Sequence, residues 1–432
     1  MGIWPRGLFG YIGIYDSYFT ASKNSAGEIT LGKMEIVVIN TLFLGFVILL
    51  KLNKLMGFSA TLYCSVWGIT IYLLAILSPL SLPFMTYKSI AVIYGHFFCL
   101  VAGAMFAYSF FEKSFSFQWI SIPSKYLFYG CLIIAGFGIL MMLYTTDVLT
   151  FYIQNQLAEL RGDLLGQKIV VNKYYKIMGN MVYPLAVIAP VYFFRKNRNI
   201  LILIVVVVLG ALLSFSNGGK GNLLIVVILL VGGVTYMCIR EGHAVPLVLK
   251  GSVILLVVVL VGFFYLIGAT RSEAKDGFSL LDSVELINRY FASSIPSFSQ
   301  WIEINNVQWV DFNIDQLSIV REFASIGGIT IPRTIDQQIV NIPHPFNVFT
   351  AFADSLAAFG YIGSLIYYLL IGVIVGLIDR IDKAPFLFGV FFLFSCYSLF
   401  TDIFFYMIGT WICLFFHFMF KLDQDKLNAD ER

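Results

Sequence analysis

The chain has 432 residues, of which 59% are hydrophobic and only 12% are charged, and its mean hydropathy is +0.85. A soluble domain carries about 25% charged residues, so this composition excludes a water-soluble fold. The net charge of +3 is spread through the loops, which excludes a concentrated basic surface for nucleic acid.

The first 33 residues precede the first long apolar run and carry Arg6, Lys23 and Lys33. They lack the short apolar core and small-residue cleavage site of a signal peptide. The continuous apolar pattern begins after Met34. Residues 1–33 are therefore predicted to be an interfacial or disordered extension.

Apolar stretches then recur to the end of the chain, and they suit helices crossing a hydrocarbon core of about 30 Å. The sequence predicts an all-α, polytopic membrane bundle of about eleven helices. Eight helices fall in residues 34–269 and three in 347–420, with a tail at 421–432. The predicted spans are 35–50, 58–78, 89–111, 126–145, 177–194, 200–216, 222–239, 251–269, 361–378, 385–400 and 403–420.

Orientation follows from the basic residues, because short cytoplasmic loops are enriched in Lys and Arg. One set of alternate loops holds 14 of the 28 basic residues in about 55 positions, whereas the other set spreads 14 over about 160. The first set is predicted to be cytoplasmic. It comprises Lys51, Lys54, Lys113, Lys125, Arg195, Lys196, Arg198, Arg240, Lys250, Arg380, Lys383, Lys421, Lys426 and Arg432.

Residues 270–346 form a hydrophilic segment too long for a simple connector, and they are predicted to face the periplasm as a folded helical cap. The stretch LLDSVELINRYFASSIPSFSQWI has helical periodicity and suits a membrane surface. Its aromatic residues Tyr290, Phe291, Phe298 and Trp301 fit two roles, stacking on sugar rings or anchoring at the interface.

Basic side chains on the predicted outer side are candidate ligands for a lipid-linked pyrophosphate. Arginine presents a planar fork to paired oxygens, and a glycine-rich turn such as Asn217 to Gly221 offers backbone N–H groups. The alternative role is snorkelling to lipid phosphate or pairing with carboxylates. The candidates are Arg161, Lys220 and Arg271, near span ends, and Arg289, Arg321 and Arg333.

His344, where the large loop returns to the membrane, is a candidate general base because its ordinary pKa lies near 6.5. Asp282, Glu285, Glu322 and Asp354 are alternatives. Only His96 and His417 are predicted to be ionisable residues well inside the spans, both packed. This argues against an ion-coupled transporter. No residue spacing indicates a metal, a disulfide or a nucleotide site, and no cofactor is expected.

The order of these features from about Met34 resembles the Wzy-type O-antigen and polysaccharide repeat-unit polymerases. SFSNGGKGNLL and the large outer loop carry part of the resemblance, and Asn347–Thr350 followed by Phe359-Gly360 and Gly363 carries the most specific part. Ala353 and Ala358 stand where the family pattern has arginine and aspartate. Lys220 stands where many relatives have arginine.

The resemblance implies a membrane glycosyltransferase of the polyprenyl-phosphate-using class in the bacterial inner membrane. Its substrates, donor and acceptor, would be undecaprenyl-pyrophosphate-linked oligosaccharides, joined into lipopolysaccharide O-antigen or a related polymer at the periplasmic face. Membrane lipid and a Wzz-type chain-length co-polymerase are the implied partners. Two alternatives are an O-antigen ligase and a lipid-linked-oligosaccharide flippase.

Overall fold

The structure is a computed structural model. It describes residues 22–23, 29–30, 33–77, 85–111, 120–148, 150, 171–197, 199–217, 221–244, 262, 293–332, 340–341, 345–346, 350–381 and 384–423. The predicted extension over residues 1–33, the eighth span at 251–269 and the tail at 421–432 lie wholly or mostly outside the described residues.

Helices dominate the described part of the chain. They are α1 Lys33–Leu52, α2 Phe58–Leu77, α3 Tyr87–Phe110, α4 Ser124–Thr146, α5 Lys173–Gly179, α6 Val182–Tyr192, α7 Leu201–Ser216, α8 Gly221–Arg240, α9 over residues 293–304, α10 Ser318–Ile326, α11 Ala351–Ile378, α12 Pro385–Tyr397, α13 Ile403–Tyr406 and α14 Ile408–Met419. Short strands pair as Ser22–Lys23 with Ile29–Thr30, Ile120–Pro123 with Phe420–Asp423, and Val340–Asn341 with Pro345–Phe346.

Seven helical segments among the described residues are long and apolar enough to cross a membrane, and α7, α12 and α14 are shorter apolar helices. Large apolar side chains point outward from the bundle, for example Leu42 on α1 and Ile133 on α4, both 70% exposed. Such a surface is stable only against lipid. The chain is a multi-pass helical membrane protein.

Contacts between helix ends define two sides of the bundle. Arg380, after α11, donates to the Tyr108 carbonyl near the end of α3, and Arg240, ending α8, pairs with Asp379. We call this the basic side. At the other side, the far side, Lys88 at the start of α3 donates to the Ile302 carbonyl of α9 at 2.7 Å. These contacts agree with the predicted alternation of loops.

Helices α3 and α11 pack backbone to backbone. A Cβ added at Gly103 would lie 2.1 Å from the Leu369 carbonyl oxygen, and one at Gly372 would lie 2.1 Å from the Leu100 carbonyl oxygen. Gly372 and Gly376 form the G-x-x-x-G spacing that permits close approach of membrane helices. This contact fixes the helix on which the candidate site is built.

Helix α9, which belongs to the predicted cap, packs into the bundle against α3 and α11. Phe298 and Trp301 are at most 1% exposed, and the Phe298 ring lies 6.0 Å from that of Phe352 in α11. The Ser299 hydroxyl bonds that of Ser89 in α3 at 2.8 Å. Phe298 and Trp301 are therefore core residues, neither sugar platforms nor interfacial anchors, while Tyr290 and Phe291 lie outside the described residues.

Candidate functional site

Helix α11 is two helices joined by a sharp break at Gly360, whose backbone has φ +68° and ψ −171°. Phe352, before the break, lies 5.4 Å from Tyr368, after it, measured between ring centroids. In one continuous helix, sixteen residues would separate them by about 24 Å. The half-helix of residues 351–359 therefore folds back along residues 361–378, and its first residues lie deep in the bundle.

The segment at 308–313 satisfies the backbone groups that the break releases. Asp311 N donates to the Phe359 carbonyl at 3.0 Å, and Tyr361 N donates to the Gln308 carbonyl at 3.0 Å. Gly360 leaves room for this segment, because a Cβ there would lie 2.6 Å from the Gln308 carbonyl oxygen. Broken backbone inside a membrane protein requires such internal partners.

Asp354 on the half-helix is a buried carboxylate, with 4% of the residue exposed. One of its oxygens accepts hydrogen bonds from the Thr401 hydroxyl at 2.7 Å and from Asp402 N at 2.8 Å. The half-helix is therefore joined to the turn that precedes α13.

Asp402 is a second buried carboxylate, 0% exposed. It caps the start of α13 by accepting from Phe404 N at 2.9 Å, and its other oxygen accepts from the Tyr367 hydroxyl at 2.9 Å. Asp354 and Asp402 thus belong to one hydrogen-bonded network within the bundle. Burying carboxylates in a membrane protein is costly, and such groups are functional candidates by default.

These two residues correct the expectation that only His96 and His417 are ionisable inside the bundle. The residues inside the bundle therefore do not exclude an ion-coupled transporter. Both histidines are nevertheless packed as predicted, with 1% and 3% of each residue exposed. The His96 ring lies 4.6 Å from that of Tyr368 in an edge-on contact.

Helix α10 packs against α13 on the far side of the bundle. The Ser318 hydroxyl donates to the Phe404 carbonyl at 2.8 Å, and the Arg321 guanidinium donates to the Phe405 carbonyl. Glu322 forms an ion pair with Lys176 of α5. Among the predicted pyrophosphate ligands, Arg321 is the one whose position the structure describes, and it lies beside the helix that Asp402 caps.

The other predicted site residues lie outside the described part of the chain. They are Arg161, Lys220, Arg271, Arg289, Arg333 and His344, and the alternative bases Asp282 and Glu285. The residue after Lys220 is described: a Cβ at Gly221 would lie 3.1 Å from the Tyr397 hydroxyl, at the far-side end of α12. The start of α8 thus adjoins the helix that leads to Asp402.

Among the residues that the structure describes, no group of three or more His, Cys, Asp or Glu side chains could hold a metal ion. Comparison with protein-family models, curated proteins and solved structures finds no match. The candidate site thus comprises two buried carboxylates and a tyrosine next to a broken helix, with Arg321 bonded to the Phe405 carbonyl of the helix that Asp402 caps.

Proposed function

We propose that this chain is a membrane glycosyltransferase that polymerises undecaprenyl-pyrophosphate-linked oligosaccharide repeat units at the periplasmic face of a bacterial inner membrane. The observation that carries the proposal is the buried Asp354–Asp402 network below the Gly360 break. The Phe359-Gly360-x-x-Gly363 run, the most specific part of the resemblance, forms that break.

The reaction needs few protein groups. The growing glycan leaves a pyrophosphate, which is already a good leaving group, and one hydroxyl of the acceptor sugar must lose its proton. The anomeric carbon passes through an oxocarbenium-like state, as in other glycosyl chemistry. A carboxylate base accelerates such a step by about 10²–10⁴-fold. Asp354 is the base in this proposal, Asp402 positions it through the shared network, and His344 is the alternative base.

Fixed cations supply the other requirement, since negative charge grows on the pyrophosphate as the glycosidic bond breaks. Arg321 lies on the far side, and the same role is proposed for Arg161, Lys220, Arg271, Arg289 and Arg333. No metal or cofactor is part of the proposal.

The test uses a deletion strain complemented with near-isosteric variants. Asp354→Asn and Asp402→Asn remove a charge while keeping side-chain size, and asparagine also caps helices. Each variant should insert normally but leave lipopolysaccharide with one repeat unit on its core. Asp315→Asn, at an exposed far-side position, is the matched control and should give the full ladder. A normal ladder from both buried-site variants would refute the assignment.

A second function is favoured by the same carboxylates, because buried acidic residues in membrane bundles also serve ion coupling. A lipid-linked-oligosaccharide flippase would then be the protein's activity. The deletion strain separates the cases, since loss of a flippase or an O-antigen ligase leaves core without any repeat unit.

A further inference from the structure

Residues 304–329 run from the end of α9 to just beyond α10. They expose large apolar side chains on the far side. Trp309 is 74% exposed and Phe323 is 67% exposed. We call this surface the apolar rim, formed by Trp309, Phe312, Ile314, Phe323, Ile326 and Ile329. Apolar surface of this kind on a soluble loop would mark an interaction site.

Helix α10 turns polar side chains toward the protein and apolar side chains outward, which is the opposite of a helix facing water. Its polar residues turn toward the protein, where Ser318 and Arg321 donate to carbonyls of α13 and Glu322 pairs with Lys176. Phe323 and Ile326 face outward. A surface helix in water buries its apolar face instead. The surroundings of α10 are therefore apolar.

The rim is also continuous with a lipid-facing surface. Ile362 N donates to the Trp309 carbonyl at 2.9 Å, and Ile362, Ile366 and Leu370 form an exposed apolar stripe along α11. The eighteen residues 361–378 span about 27 Å, close to the hydrocarbon thickness of about 30 Å. Trp309 therefore lies at the far-side edge of the hydrocarbon core, the level at which tryptophan is enriched.

We infer that the apolar rim lies in the plane of the far-side leaflet, among the acyl chains of membrane lipid. Insertion of about 5–10 Å below the headgroups is typical of such in-plane segments. Asp311 and Asp315 in the same segment limit the depth of insertion, because a carboxylate favours the headgroup region. The rim anchors the segment that completes the Gly360 break, so lipid supports the wall of the candidate site. This inference does not depend on the reaction proposed above.

Tryptophan fluorescence of the full chain in nanodiscs tests the inference. The chain has six tryptophans, and subtracting the spectrum of Trp309→Phe from that of wild type isolates Trp309. Lipids brominated on their acyl chains should remove most of the Trp309 emission, whereas aqueous iodide should remove little. Trp301→Phe is the matched control, because Trp301 is 1% exposed and its emission should respond to neither quencher.

Two outcomes would overturn the inference. Quenching of Trp309 by iodide without quenching by brominated lipid would place the rim in water. Insensitivity of Trp309 to both quenchers would mean that protein, such as a second copy, covers the rim.

A polarity-sensitive fluorophore at Phe323→Cys, in a background without the native cysteines, gives an independent measurement at α10. Its emission should be blue-shifted relative to the same label at Lys54→Cys, an exposed basic-side position.

Discussion

Replacing Gly360 with alanine tests whether the break in α11 is a required feature of the fold. The backbone there has φ +68° and ψ −171°, a region that essentially only glycine occupies, and holding another residue there costs about 1–3 kcal/mol. The added Cβ would also lie 2.6 Å from the Gln308 carbonyl oxygen, which is backbone and cannot turn aside.

Relief of that clash would displace the 308–313 segment and break its bonds to the helix. Asp311 N to Phe359 O and Tyr361 N to Gln308 O, both 3.0 Å, contribute a net of about 1 kcal/mol each. With the backbone strain, the free energy of unfolding should fall by about 3–5 kcal/mol.

Thermal unfolding in detergent, followed by size-exclusion chromatography with fluorescence detection, measures this loss. Gly136→Ala is the matched control, because a Cβ at that helical glycine meets nothing within 4 Å. Alanine there should be neutral or stabilise by up to about 1 kcal/mol. Equal unfolding temperatures for Gly360→Ala and Gly136→Ala would show that the fold does not require the break.

Three further predictions follow from the packing and the predicted topology. Gly372→Ala should lower the unfolding temperature, because the added Cβ would lie 2.1 Å from the Leu100 carbonyl oxygen and such overpacking costs about 1–3 kcal/mol. An unchanged unfolding temperature would contradict this. Arg321→Ala should shorten the polymer ladder and Arg321→Lys should restore it only in part, because lysine lacks the planar fork; full length in both variants contradicts this. Alkaline phosphatase should be active when fused after Gly328 and inactive at the C-terminus, and the reverse pattern inverts the topology.

The sequence predicts the membrane spans well because apolar length is a local property. Seven of the eleven predicted spans fall on described helical segments that are long and apolar enough to cross a membrane, and three more fall on shorter apolar helices. The fold-back at Gly360 was not predicted. It depends on the contact between Phe352 and Tyr368, which are far apart along the helix. The sequence of residues 351–378 does not indicate a break, because it is one apolar run without proline.

Two other features escaped prediction for physical reasons. Asp402 lies in a turn between two apolar stretches, where a carboxylate usually meets water, and only the packed half-helix buries it. Helix α9 appears amphipathic because of its serines, yet those serines are inside. The Ser297 hydroxyl, for example, donates to the Ser293 carbonyl of its own helix, which removes the cost of burying it. The G-x-x-x-G of α11 was a usable signal for the close contact with α3.

The ion pair between Arg240 and Asp379 joins α8 to α11 on the basic side. The Asp379 side chain is only 3% exposed and also accepts from Ser59 N and the Ser59 hydroxyl, each at 2.9 Å. Burial raises the pKa of Asp379 although Ser59 and Arg240 favour its charged form. Desolvation therefore outweighs the attraction of the pair. Because the folded-state pKa lies above the unfolded one, this carboxyl's contribution to stability should increase as the pH falls toward the unfolded value.

A double-mutant cycle on this pair should consequently show strong coupling without net stabilisation. Arg240→Met alone should lower the free energy of unfolding by up to about 3–5 kcal/mol, because it leaves a buried charge unpaired, whereas adding Asp379→Asn should recover most of that loss. The same cycle on the more exposed pair of Lys88 and Glu303, 4.0 Å apart, should give a coupling of about 0–1 kcal/mol. Equal coupling in the two cycles, measured by thermal unfolding at one pH, would show that burial does not govern the Asp379 pair.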